Sequence, residues 1–170
     1  MRNTILTTLF ICAAPPIFAF VTPISFEALV QRSDIIVVAK VESVSRPLIG
    51  RRYAKAKVTE VWKGTQMERI EFLASPTWTC DIADAEEGET VLLFLIKSSK
   101  SRSYAIAHSG RGRMPLRPVD AKIYATFWAD IRLPKDTPTI DGPEPKLDFI
   151  RSVDVEALRE LAKRALQKSE

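Results

Sequence analysis

The alternation of apolar and polar positions predicts a chain built mainly of strands. Residues 35–39 are all apolar and mostly β-branched, which is typical of a strand buried on both faces, and Val41 and Val44 extend the run. Residues 53–62 alternate between apolar and polar positions and indicate a strand with one face in water. The same criteria predict strands over residues 69–74, 91–96 and 104–107, and a sixth strand or long hairpin arm over residues 122–132.

Two helices flank these strands. Ser25 is a suitable N-cap for a short helix over residues 26–31. Residues 151–168 have the periodicity of an amphipathic helix, with Asp154 or Ser152 as its cap. Residues 134–150 contain four of the eleven prolines and predict an irregular linker before that helix.

Five or six strands with short turns and few helices predict a small closed antiparallel barrel or a sandwich. Closing the sheet removes exposed strand edges, which otherwise invite aggregation. We assign residues 20–133 to this β domain and expect the C-terminal helix to pack on it.

The first nineteen residues have the layout of a secretory signal peptide. Arg2 gives a positive start, residues 4–20 carry no charge, and Ala19 is a small residue suited to cleavage. We predict cleavage after Ala19, with Ala14 as the second choice, and a periplasmic or extracellular location.

Two other interpretations of this segment stay open. An uncleaved anchor helix is disfavoured because the apolar run is shorter than the ~20 residues of a spanning helix and ends in two prolines. A lipoprotein attached through Cys12 is disfavoured because large residues, Phe10 and Ile11, directly precede the cysteine.

Composition and charge exclude several classes of function. The 170 residues carry a net charge of +4, and loss of the leader removes one arginine and no acid, which leaves +3. A net charge this small does not predict nucleic-acid binding. It is compatible with a location beside an anionic surface of the cell envelope. One histidine and two separated cysteines exclude zinc fingers and cysteine-cluster sites, so we expect neither metal nor cofactor.

Three segments share a pattern with a known group of secreted domains. Residues 33–41 read S-D-I-I-V-V-A-K-V, residues 58–64 read V-T-E-V-W-K-G, and residues 88–95 read G-E-T-V-L-L-F-L, with a loop containing Cys80 before the last. This order resembles the netrin-like, TIMP-like OB-fold domains of exported bacterial proteins. Over residues 26–112, the resemblance implies an all-β fold: a five- to six-stranded antiparallel OB-like barrel, here with a C-terminal amphipathic helix. It also implies a binding role and no catalytic residues.

The sequence departs from that family in two places. Family members commonly join the Cys80-type loop to a cysteine just after the fifth strand, where this chain has His108-Ser109-Gly110. Inhibitory members use a cysteine at the mature N-terminus to bind a protease zinc, whereas the predicted new N-terminus here is Phe20. We therefore do not expect this chain to inhibit metalloproteases as those family members do.

A few residues are candidates for chemistry or binding. Cys80 with His108 is the only thiol–imidazole pair that the mature chain allows, and the alternative is a relic of a lost disulfide. The acidic loop over residues 81–89 matches no calcium motif and is expected to be solvated.

Four further residues are candidate binding groups. Arg111, Arg113 and Arg117 are close in sequence and could form a cationic patch that holds phosphate or carboxylate. Trp78 is either a recognition anchor or a cover over one end of the barrel.

We therefore expect an exported, non-catalytic binding module that uses loops at one end of its barrel to hold a protein or cell-envelope component. A small extracytoplasmic thiol-dependent enzyme or redox protein using Cys80 with His108 is one alternative, and a structural envelope protein is another. We expect no nucleic-acid partner and no stable membrane span after cleavage.

Overall fold

Strands dominate the chain, as the alternation of its residues predicts. The computed structural model describes residues 21–98, 103–143, 147 and 149–168, so the predicted leader, including Cys12, lies outside the described residues. The strands in chain order are β1 (Ile24–Ser25), β2 (Ile35–Val44), β3 (Tyr53–Lys63), β4 (Arg69–Leu73), β5 (Thr90–Lys97), β6 (Tyr104–Ile106), β7 (Arg113–Val119), β8 (Lys122–Trp128), β9 (Ile131–Arg132), β10 (Thr139–Asp141) and β11 (Ile150–Asp154). The helices are α1 (Phe26–Arg32) and α2 (Val155–Gln167).

Five of these strands close a barrel. β2 pairs with β3 and β5, and β3 pairs with β4. β6 closes the ring because it pairs with both β4 and β5. The predicted OB-like barrel with a C-terminal helix is confirmed. One of its pairings, β4 with β6, is parallel rather than antiparallel.

β2 and β5 are buried on both faces, which explains their uninterrupted apolar sequences. Val37 and Leu93 belong to a cluster shared by all five barrel strands, which is the barrel interior. Alternate residues, including Ile36 and Phe94, belong to a second cluster with α1, α2 and strands outside the barrel. Successive side chains of a strand point to opposite faces, so both cores share the same two strands.

α1 begins where the sequence predicts. The Ser25 hydroxyl accepts a hydrogen bond from the Ala28 amide at 3.1 Å and so satisfies one donor of the first turn. The helix buries Phe26, whose ring meets Phe94 edge-on with centroids 5.6 Å apart. The cap therefore places the helix against β5.

A second set of strands extends the barrel sheet through β7. The first part of β7 pairs with β5, and its second part pairs with β8, which is followed by β11 and β10. The strand or hairpin arm expected over residues 122–132 is instead two strands, β8 and β9, and β9 pairs with β1. β7 was not predicted, because Pro115 and Pro118 interrupt its pattern.

The predicted boundary between linker and C-terminal helix is wrong. Residues 134–150, expected to be irregular, contain β10, and residues 151–154 belong to β11 rather than to a helix that starts at 151. The β11 backbone pairs with β8 and buries Ser152 and Val153 completely, so these residues are strand. Asp154, not Ser152, is the N-cap of α2, and its carboxylate accepts from the Glu156 amide at 3.0 Å.

No helix in the described part of the chain is long and apolar enough to cross a membrane.

One glycine lets the long loop before β5 lie directly on the turn after β6. Gly110 has a φ of +82°, and a Cβ placed on it would lie 2.1 Å from the Ala83 amide nitrogen. The Ile82 amide donates to the Ser109 carbonyl at 3.1 Å in the same contact. Only glycine allows this approach of two backbones.

We expect Gly88→Ala to lower the free energy of unfolding by about 1–2 kcal/mol, because its φ of +87° is left-handed but nothing lies within 4 Å of the added Cβ. Gly110→Ala should lower it by about 1–3 kcal/mol more, since overpacking adds to the same strain. Urea unfolding of both variants measures the difference. Equal effects of the two substitutions would show that the loop is not held at Gly110.

Candidate functional site

The loop that contains Cys80 lies against the turn that contains His108. Arg111 donates from Nη1 to the Cys80 carbonyl at 2.9 Å, and the Trp78 indole donates to the Ser109 hydroxyl at 3.3 Å. Cys80 is half-buried. The structure thus brings the two predicted segments together, while a catalytic or redox role of the Cys80 thiol stays a prediction.

Arg111 holds this contact together. Its side chain is only 10% exposed, and it pairs with Asp130 while donating to the carbonyls of Cys80 and Ser109. Its guanidinium also lies 5.4 Å from the centre of the Trp128 ring. The charge of Arg111 is therefore balanced inside the protein, where it joins the loop, the turn and the connection after β8.

The other two predicted arginines are also engaged within the fold. Arg113 forms a two-point pair with Glu89, with Nε and Oε1 2.9 Å apart. Arg117 donates to the Asp141 carbonyl at 2.7 Å and to the Ser152 hydroxyl at 3.1 Å. The structure does not assemble the three arginines into the cationic patch that their spacing suggested, because each is turned toward a different acceptor.

Trp78 is the predicted binding residue that solvent reaches best. Forty per cent of its surface is exposed, whereas the side chains of Arg111 and Arg113 are 10% and 18% exposed. Its indole nitrogen is tied to Ser109, so the ring is fixed over the contact between loop and turn. The position suits a cover over this end of the barrel, which is one of the two predicted roles.

The surroundings of His108 disfavour the charged form of its imidazole. Burial lowers the pKa of His108 below its usual 6.5, and the nearby charges of Arg111 and Arg32 act in the same direction. Asp130 and a hydrogen bond with the Thr22 backbone oppose the shift without cancelling it. Nε2 is buried without a hydrogen-bond partner among the described residues, so a second proton on the ring would be poorly solvated.

A groove, which sequence patterns did not reveal, lies between the β7–β8 hairpin and the start of α2. We call it the hairpin groove. Its volume of about 720 Å³ falls within the roughly 300–1,000 Å³ of ligand-binding clefts. Its apolar lining consists of Val38, Leu116, Pro118, Ala121, Ile123 and Val155, and its polar lining of Glu60, Thr90, Arg117, Lys122, Asp154, Glu156 and Arg159.

Ion pairs fix the charged rim of the hairpin groove. Arg159 lies between Glu60, at 2.6 Å, and Glu156, and its guanidinium stands 5.6 Å from the centre of the Trp62 ring. The hydrogen bond to Glu60 raises the pKa of Arg159 above its usual range, so it stays charged. Lys122 pairs with Asp154 across the groove entrance at 3.0 Å.

Sequence reasoning missed the hairpin groove because its lining comes from six strands and one helix that are distant along the chain. The one residue it shares with the predicted site residues is Arg117. The alternation over residues 122–132 assigns Ile123 to a strand and does not indicate a groove there. The exposure of Ile123 is seen only in the structure.

No protein-family model matches the chain, and no curated protein matches it. Within the residues that the structure describes, no group of three or more His, Cys, Asp or Glu side chains is placed to hold a metal ion.

We expect Arg111→Met to lower the free energy of unfolding by about 3–5 kcal/mol, because it leaves the largely buried carboxylate of Asp130 without its partner. The double variant Arg111→Met/Asp130→Asn should be less unstable than Arg111→Met alone, since the orphaned charge is gone. Lys163→Met, which removes an exposed pair with Glu160, serves as the control and should change stability little. Denaturant unfolding tests all three, and a loss for Arg111→Met no larger than the control's would contradict the prediction.

Acidification should destabilise the protein through His108. Its pKa in the folded state lies below the usual 6.5 expected for the unfolded chain, so the unfolded chain takes up the proton first. The contribution of neutral His108 to the free energy of unfolding is therefore fully present above about pH 6.5. It is lost progressively as the pH is lowered toward the folded-state pKa.

His108→Gln should reduce the change in unfolding free energy between about pH 7 and about pH 5.5, where carboxyl groups contribute little. Because the chain has one histidine, the difference between wild type and variant isolates this group. Identical pH profiles would rule out the shift.

Proposed function

We propose that this chain is an exported, non-catalytic binding module of the netrin-like, TIMP-like type, and that it binds a segment of a cell-envelope protein in the hairpin groove. The observation that carries the proposal is the groove itself, an open cleft of about 720 Å³ with an apolar floor and a charged rim.

The composition of the groove suits a protein partner. Specific interfaces have an apolar centre surrounded by a polar rim that remains partly in water. Here Val38, Leu116 and Ile123 supply apolar surface, and Glu156 and Lys122 supply charges of both signs at the edge. A partner segment with apolar side chains flanked by charged ones would be complementary to such a surface.

Polar contacts within the chain connect the walls of the groove before anything binds. The Lys122–Asp154 pair joins the β7–β8 hairpin to the N-cap of α2 at the end of β11, and the Arg159–Glu60 pair joins α2 to β3. Arg117 joins β7 to β11 through Ser152. Because the walls are connected in this way, binding need not order them, which favours affinity for a given contact area.

Export is compatible with the fold. β1, the first described strand, begins at Ile24, five residues after the proposed cleavage site at Ala19. The predicted loops at the barrel end then act as supports: Arg111 holds them in place, and the binding surface lies on the hairpin side.

A photo-crosslinking amino acid at position 123 tests this function in intact producing cells. We expect it to yield a discrete crosslinked protein product, because Ile123 lines the groove and is 47% exposed. The same amino acid at position 96, where Ile96 is 37% exposed outside the groove, is the matched control and should not yield that product.

The substitution Ala121→Arg adds a large side chain at an exposed groove position and should abolish the product without unfolding the chain. The proposal fails if positions 123 and 96 give the same products, or if Ala121→Arg leaves the product at position 123 intact. Circular dichroism of the purified Ala121→Arg variant checks that the fold is retained.

A further inference from the structure

The connection between β2 and β3 presents two apolar side chains entirely to solvent. Leu48 and Ile49 have relative exposures of 104% and 93%, whereas no other large apolar side chain in the described residues exceeds 47%. They are adjacent in sequence and contribute nothing to either core. Nothing in the described part of the chain covers these two side chains, so they are available to an external surface.

The two strands below this tip hold it away from the barrel. The Ser45 amide donates to the Tyr53 carbonyl at 2.8 Å, and the Tyr53 amide donates to the Ser45 hydroxyl at 2.7 Å. Beyond these bonds, Gly50 has a φ of +112°, and nothing lies within 4 Å of where its Cβ would be. The tip projects freely into solvent from a paired base.

The tip carries positive charge on both sides of the apolar pair. Between Glu42 and Glu60 the chain has five lysines and arginines and no acidic residue. Arg46 and Arg51 are exposed and make no ion pair or hydrogen bond with the residues that the structure describes. The third flanking arginine, Arg52, is neutralised by Asp84 at 2.9 Å.

We propose that this hairpin tip, residues 46–51, docks on a lipid bilayer that contains anionic headgroups. Leu48 and Ile49 enter the boundary between headgroups and acyl chains, and Arg46 and Arg51 bind phosphate groups at the surface. Apolar side chains beside cationic ones are the combination that binds an anionic membrane interface without crossing it.

The residue types favour a lipid surface over a protein. The arginines of the tip suit an anionic lipid surface and a protein interface alike. The other residue types discriminate, because energetic centres of protein interfaces are enriched in tryptophan and tyrosine, whereas leucine is under-represented. The tip has two aliphatic side chains and no aromatic one, and none of its residues lines the hairpin groove. A bilayer needs no shape complementarity and accepts such a convex tip.

Vesicle sedimentation of the full chain tests this docking. The vesicles contain equal parts of phosphatidylglycerol and phosphatidylcholine, and vesicles of phosphatidylcholine alone provide the comparison. We expect Leu48→Ser/Ile49→Ser to lower the partition coefficient on the anionic vesicles by about tenfold or more. Arg46→Ser/Arg51→Ser should lower it by about fivefold per arginine at low salt and abolish the preference for anionic vesicles.

The control variant Ile96→Ser removes an exposed isoleucine that lies outside both the tip and the hairpin groove, and it should bind vesicles as the wild type does. Residues 1–20 are identical in all variants, so the differences among them report on the tip. Unchanged binding by Leu48→Ser/Ile49→Ser, or equal binding of the wild type to both kinds of vesicle, would overturn the proposal.

A protein partner at the tip would give a different result. A photo-crosslinker at position 49 would then yield a discrete protein product while the tip variants kept their vesicle binding, and the lipid proposal would be wrong. The tip shares no residue with the hairpin groove, so crosslinking at position 123 tests the proposed function independently of this outcome.

Discussion

The burial of β5 on both faces is the constraint on which the rest of the structure depends. Leu93 and Leu95 fill the barrel, while Leu92 and Phe94 of the same strand must be covered from outside. α1 and α2 supply part of that cover, and β7 pairs with β5 only as far as Pro115. Beyond Pro115, β7 pairs with β8 instead of β5, and the hairpin groove lies where β7 separates from β5. The groove thus follows from how the outer core is covered.

One buried arginine, Arg111, and two half-buried ones, Arg113 and Arg159, connect the elements that apolar packing leaves separate. Arg111 joins the long loop to the turn after β6, Arg113 joins β7 to Glu89, and Arg159 joins α2 to β3. Such pairs contribute little net stability over apolar replacements, yet they are costly to break singly because the remaining charge stays buried. Their effect here is to fix where loops and helices sit, which sets the shape of the groove and of the loop end.

Local patterns were sufficient for the elements whose burial repeats along the chain. The sequence predicts four elements close to their observed bounds: β2, β3, β5 and α1. Burial on both faces, alternation and the Ser25 cap each depend on residues that are neighbours in sequence, so a local pattern is enough to indicate them. Sequence patterns do not predict β7, because prolines interrupt it, or β11, because it lies beside the pattern of the C-terminal helix. Both segments are strands because they pair with partners that are distant along the chain. The acceptors of Arg111, Arg113 and Arg117 lie 19, 24 and 35 residues away. Sequence spacing alone therefore suggested a patch where the fold makes three separate contacts.

The two surfaces proposed for binding are far enough apart to be occupied together. Val38 lines the groove, and Val44 ends the same strand six residues later, at the base of the tip. Thr90, another residue of the groove, pairs with Lys40 of β2, four residues before Val44. At a rise of about 3.3 Å per residue, Val38 lies about 20 Å and Lys40 about 13 Å from Val44 along β2. A barrel resting on a bilayer through Leu48 and Ile49 would keep its groove clear of the headgroups. Confinement to that surface raises the effective concentration of any envelope partner, so a modest affinity in the groove would suffice for stable association.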